Sequence, residues 1–177
     1  MSSKSLLKNV ETLSSESKSL YAALQDEREI ACVLLSASFL DHCLATLLHQ
    51  HFIKSSVGPK MLDPRGGILG TYAARSDLCY CLGLVAKPVY QNLITIGMIR
   101  NRFAHSHLTV SFADDDIERW CLDLHFPAFI EESEELAEDD GGPSVFTDAR
   151  ERFSLVVALI LTALECPRSE PKDEWWS

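Results

Sequence analysis

Apolar residues in this chain recur every three or four positions and show no alternating stretch, which is the signature of packed helices rather than strands. Leu6, Val10, Leu13, Leu20 and Leu24 keep that period with Ser and Lys between them. They predict an amphipathic helix over residues 4–24 with a narrow apolar stripe. Asp26 followed by Glu29 has capping-box spacing and predicts the start of a second helix. This helix, 28–53, is apolar on most sides as far as Leu48, and a helix apolar all round belongs at the centre of a domain. Asp41 falls on its inner stripe, in line with Leu34, Ala37, Leu44 and Leu48. A carboxylate there needs a partner, because burying a lone charge is costly.

Gly and Pro mark residues 55–67 as a loop. Leu69, Ala73, Ser76/Asp77 and Tyr80 predict a short helix over 69–82, ended by Gly83 as a C-cap residue. Pro88 suits the first turn of the next helix, whose stripe runs Val89, Leu93, Ile96, Arg100 and Phe103. Arg100 is therefore expected at a core position. Gly97, Asn101 and His105 form a second line at i, i+4 and i+8, and Gly97 predicts close approach by another backbone or a ligand. Asp114 to Asp116 suit the N-terminus of a helix containing Ile117, Trp120, Cys121 and Leu124. A weaker acidic helix over 127–137 and a loop over 139–144 follow. Phe146, Ala149, Phe153, Val156, Ile160 and Leu164 mark the last helix, stopped by Pro167. The expected architecture is all-α: one domain over 1–167, a bundle of about six or seven helices around the buried 28–53 helix. A flexible polar tail over 168–177 completes it, with Trp175 and Trp176 resting on the surface.

Charge narrows the function. The chain has 177 residues and a formal net charge of −10. Duplex DNA affinity comes largely from Lys and Arg neutralising phosphates, so no direct DNA binding is expected. The acidity is concentrated: residues 113–152 hold 14 acids and 3 bases, whereas 54–105 hold 7 bases and 2 acids. No helix-turn-helix stands out either. Residues 1–27 contain no apolar signal-peptide core, and the longest apolar run, Leu155 to Leu164, is too short to span a membrane. A cytoplasmic location follows, and six cysteines are then read as reduced thiols. Cys79-x-Cys81, His49-x-His51 and His105-x-His107 place their members on different helix faces, so no metal site is expected. Gly-rich phosphate loops, nucleophile elbows and zincin motifs are absent, and no cofactor is expected.

The remaining chemistry sits in Arg100-Asn101-Arg102-Phe103-Ala104-His105. Read structurally, Arg100 is buried and ion-paired with Asp41 or Asp77, a pair whose breakage costs about 3–5 kcal/mol. His105 then simply complements the C-terminal helix dipole. Read catalytically, His105 moves a proton at neutral pH, Arg100 steadies charge on a phosphate, and Asn101 orients one of them. Such a set would cleave RNA without metal. A third reading makes Arg75 and Arg100 an anion-binding pair, which needs a pocket between the 69–82 and 88–105 helices.

Five segments carry a family resemblance: Phe39–Leu44 (FLDHCL), Gly70–Leu78 (GTYAARSDL), Leu82-Gly83-Leu84, Ile99–Ser106 (IRNRFAHS) and Ser111-Phe112. In this order they resemble the mannitol operon repressor (MltR-type) family over about residues 28–125. The resemblance implies a small all-helical cytoplasmic protein that exerts negative control on a sugar-alcohol uptake operon. It implies action through protein contacts, with a phosphotransferase carrier as partner, rather than through DNA. Arg100-Asn101 followed by His105 also resembles the Arg-polar-x-x-x-His signature of HEPN domains. That second resemblance implies a homodimeric, metal-independent ribonuclease or toxin-type effector with Arg100, Asn101 and His105 active and Asp41 in support.

Overall fold

A computed structural model describes residues 13–105, 110–125 and 148–165. The expected helix over 127–137, the 139–144 loop, the tail over 168–177 and residues 4–12 of the first helix lie outside the described residues. Among the described residues there are seven helices and no strand: α1 (Ser15–Asp26), α2 (Glu29–His51), α3 (Val57–Met61), α4 (Tyr72–Cys81), α5 (Lys87–His105), α6 (Asp115–Leu122) and α7 (Ala149–Glu165).

The hub is α2, which packs on α4, α5 and α7, while α1 lies along α7. Val33, Leu40, Leu44 and Leu48 of α2 share one core with Leu93, Ile96 and Ile99 of α5 and Val156 and Ile160 of α7. The wrapping of α2 is one-sided. Ile30, Leu34, Leu35 and Phe39 are exposed, Phe39 by 46%. The helix is long and apolar enough to cross a membrane by length and composition, but its inner face is spent on this bundle.

Polar ties fix the helix order. The Glu29 carboxylate, at the start of α2, accepts from Phe112 N at 3.2 Å and Ser111 Oγ at 3.4 Å, just beyond α5. This sets α2 and α5 antiparallel. The Arg150 guanidinium of α7 donates to the carbonyls of Leu24 (2.9 Å), Gln25 (3.0 Å) and Glu27, closing the α1–α2 corner. Cys32 and Ser154 lie side by side at 3.6 Å, so α7 runs parallel to α2.

Several local expectations shift. Ser14 caps α1 by accepting from Ser17 N at 3.1 Å, so Leu13 precedes the helix instead of continuing it. Leu13 packs instead beside Leu155, Ala158 and Leu159 of α7. The Asp26–Glu29 capping box does not form: Asp26 ends α1, Arg28 is the N-cap of α2, and Glu29 serves the distant Ser111–Phe112 turn. Gly83 does end α4, with φ +69°, Leu84 N donating to Cys79 O (2.8 Å) and Gly83 N to Tyr80 O (2.9 Å). This is the Schellman arrangement, in which a left-handed residue satisfies the last carbonyls.

Candidate functional site

The C-terminal half of α5 is where the sequence concentrated its chemistry. Both Ile99 and Arg100 fit the α5 period, and the core takes Ile99; Asn92 and Leu93 share the buried position one repeat earlier. Burying an apolar chain carries no desolvation penalty, whereas a guanidinium would. Arg100 is therefore exposed, not buried, and its Nη1 donates to the neighbouring Asn101 Oδ1 at 2.8 Å. Asn101 and His105 are also exposed, one turn apart. Arg102 reaches Asp116 Oδ2 at 3.2 Å.

The ion pair expected of Arg100 belongs to Arg75. Arg75 is 4% exposed, and its Nη1 meets Asp41 Oδ2 at 2.6 Å. Its Nε donates to Leu69 O and its Nη2 to Leu62 O, both at 2.8 Å. All three guanidinium nitrogens are thus engaged, with the chain before α4 folded around the group. Asp77, the other expected partner, is exposed and accepts from Tyr90 OH at 2.9 Å. Of the expected Leu69–Ala73–Ser76/Asp77–Tyr80 stripe, Leu69 and Ser76 are buried. Arg75, Ser76 and Cys79 are buried, while Ala73 and Asp77 are exposed and the Tyr80 ring stacks outside on Tyr90 at 4.4 Å. An anion-binding role for Arg75 has no free nitrogen to work with.

Tyr72 joins these groups. Its hydroxyl donates to Leu93 O at 3.0 Å, and its ring lies on Gly97, where a Cβ would stand 3.3 Å from Tyr72 Cε1. The close approach predicted from Gly97 is therefore a tyrosine ring. Burial pushes the Tyr72 phenol well above its usual range; the Asp41 charge adds to this and the Arg100 charge opposes it. Asp41, Tyr72 and Arg75 thus form one polar seam between α2, α4 and α5. In it Asp41 Oδ1 is buried without a hydrogen-bond partner among the described residues.

Two functional-looking anchors escaped sequence reasoning. Buried Asn92 grips the backbone of His125, Nδ2 donating to its carbonyl (2.6 Å) and Oδ1 accepting from its N–H (2.8 Å). Arg152 Nη2 donates to Leu124 O at 2.6 Å, and burial lowers its pKa from the usual arginine range. Neither has a local sequence signal, since both partners are remote backbone atoms.

No protein-family model matches the chain, and no curated protein matches it. Among solved structures, a chain in the X-ray structure of the MtlR–HPr complex from Escherichia coli has the same fold. The TM-score is 0.62 at 16% identity, covering 85% of this chain and 99% of that chain. The likeness is one of fold. It agrees with the resemblance drawn from the FLDHCL, GTYAARSDL and IRNRFAHS segments at that level.

Proposed function

We propose that this chain is a regulator acting through protein–protein contact. More finely, it controls expression of a sugar-alcohol operon of the mannitol type, without touching DNA itself. Its partner is a phosphotransferase carrier of the HPr kind. The observation carrying this reading is the likeness to a chain found in complex with HPr, over nearly the whole of that chain. Two features support it. A net charge of −10 disfavours a phosphate backbone. The exposed apolar row Ile30, Leu34, Leu35 and Phe39 on α2 is the kind of surface that protein partners cover.

The test is calorimetric titration of the purified chain with HPr, in phosphorylated and unphosphorylated form. Saturable binding with a micromolar or tighter dissociation constant is expected, and it should survive His105→Ala. No binding of either form overturns the reading. One observation favours a metal-independent ribonuclease as the second reading: Arg100, Asn101 and His105 are all accessible at one end of α5. Metal-free cleavage of labelled RNA, lost in folded His105→Ala and Arg100→Ala variants, would put that reading first.

A further inference from the structure

The outward half of α2 is apolar and exposed. Ile30, Leu34, Leu35 and Phe39 are each 38–47% exposed, although the inner half of the same helix lies at the centre of the core. Their exposed parts amount to about 350 Å² of apolar surface, the size at which a patch on a single chain is often functional. Ala31, Ser38 and Ala45, spaced seven apart, run along the middle of this face. Side chains this small let another helix axis come close along that line.

The face is also poor in charge. From Glu29 to His51 the helix holds two carboxylates and no Lys or Arg. Glu29 is bound to Ser111 and Phe112, and Asp41 to Arg75. Two chains of net charge −10 repel each other in most orientations, and across this face they meet without opposing like charges. Opposite charge, the usual means of steering a different protein to a site, is missing from its middle.

The pattern of the face is symmetric. About the point between Leu34 and Leu35, Ile30 mirrors Phe39, Ala31 mirrors Ser38, and Leu34 mirrors Leu35. Two copies of α2 packed antiparallel about a two-fold axis at that point set each residue level with its mirror in the other copy. Large apolar side chains then meet large ones, and small meet small. A two-fold interface needs this self-complementarity, because one surface serves both sides. Arg28, the N-cap residue, comes level with Asp41 of the other copy, so the ends of the row bring opposite charges together.

The area suffices. Two copies contribute about 700 Å² of apolar surface, and a stable interface of about 1,200 Å² is a little over half apolar. We infer that this chain forms a two-fold dimer by antiparallel pairing of α2 with α2 of a second copy, centred between Leu34 and Leu35. The inference names an occupant for the apolar row and does not depend on the regulator reading.

The experiment is analytical ultracentrifugation of the full chain across the micromolar range. The mass at its upper end should be twice 19.8 kDa. Leu35→Glu and Phe39→Glu, both at exposed positions, should each weaken the dimer about tenfold or more with circular dichroism unchanged, because pairing would bury a lone carboxylate. Register is read by cysteine pairing in a chain carrying Cys43→Ser, Cys81→Ser and Cys166→Ser. Under copper phenanthroline, a mixture of Ala31→Cys and Ser38→Cys chains should cross-link. Either alone should not, since like positions stand about 10 Å apart along the axis, too far for a disulfide. A chain that stays monomeric throughout overturns the inference and leaves the HPr titration to judge the regulator reading. A dimer that survives both glutamate variants lies on another face and overturns it as well. Cross-linking of Ala31→Cys chains with one another, but not with Ser38→Cys chains, overturns the antiparallel register.

Discussion

Asp41 and Arg75 meet at 2.6 Å across α2 and α4, with the arginine buried and the carboxylate 34% exposed at its side chain. The guanidinium also binds the carbonyls of Leu62 and Leu69, so one side chain anchors both the hub helix and the turn leading into α4. Its planar fork suits three acceptors in different directions, which an ammonium cannot match.

Arg75→Met should therefore destabilise the fold strongly. It strips Asp41 of its counter-charge and orphans two carbonyls. Removing one partner of a buried pair costs about 3–5 kcal/mol, and the partial exposure of Asp41 places this case near 3. Arg75→Lys should recover little of the loss. Urea unfolding of both variants, with Asp41→Asn completing a double-mutant cycle, checks the size and the coupling; a loss under 1 kcal/mol contradicts the anchoring role.

Gly97 and Tyr72 should show a change of sign. Ala normally gains about 0.5–1 kcal/mol over Gly within a helix. Here the new methyl meets the Tyr72 ring at 3.3 Å, and that ring is held by its bond to Leu93 O. Gly97→Ala should destabilise the native chain yet stabilise a Tyr72→Ala background. Thermal melts of the four proteins decide it, and equal effects in both backgrounds would show that the ring does not constrain position 97.

Arg100→Ala and His105→Ala should each leave stability within about 0.5 kcal/mol of the parent, as surface changes usually do. Both side chains are exposed, and the contact assigned to Arg100 is with its neighbour Asn101. A large loss in either melt would mean that the end of α5 is structural after all. Neutral stability makes these variants clean probes for partner binding and RNA cleavage.

The thiols should divide by burial. Cys81 is exposed, whereas Cys79 and Cys121 are buried and desolvation pushes each up to about 12. Thiol reagents at neutral pH should modify Cys81 fast and the other two only on unfolding. The linkage has a definite sign. Between the ordinary thiol pKa, near 9, and about 12, the unfolded chain releases protons that the folded chain keeps. The stability these thiols support is thus fully present below about 9 and lost as pH rises toward 12. Cys79→Ala/Cys121→Ala should flatten the alkaline part of the stability–pH curve, and an unchanged slope would contradict the assignment.

The helices were legible because their apolar period is long and regular, as in α5 and α7. The rotation of each helix about its axis was less so. At 3.6 residues per turn, Ile99 and Arg100 are equally good candidates for the core, and so are Cys79 and Tyr80. Desolvation settles the first case and ring stacking on Tyr90 the second. The buried cation was expected at Arg100 on α5, and the structure has it at Arg75 on α4. The acceptors that select Arg75 are backbone carbonyls of Leu62 and Leu69, which composition does not reveal. Asn92 with His125 and Glu29 with Phe112 were invisible for the same reason, being long-range bonds to main-chain atoms.

The corner clasped by Arg150 has a consequence for how this protein is made. The first described helix lies along the last, with Leu13 beside Leu155 and Leu159, and its C-terminal carbonyls wait for a guanidinium more than 120 residues downstream. Chains emerge from the ribosome N-terminus first, and contacts this distant in sequence form late. Throughout synthesis α1 is an amphipathic segment with its docking surface still unmade. Because α7 supplies the surface on which α1 packs, a nascent chain halted before residue 150 lacks that surface for its first helix.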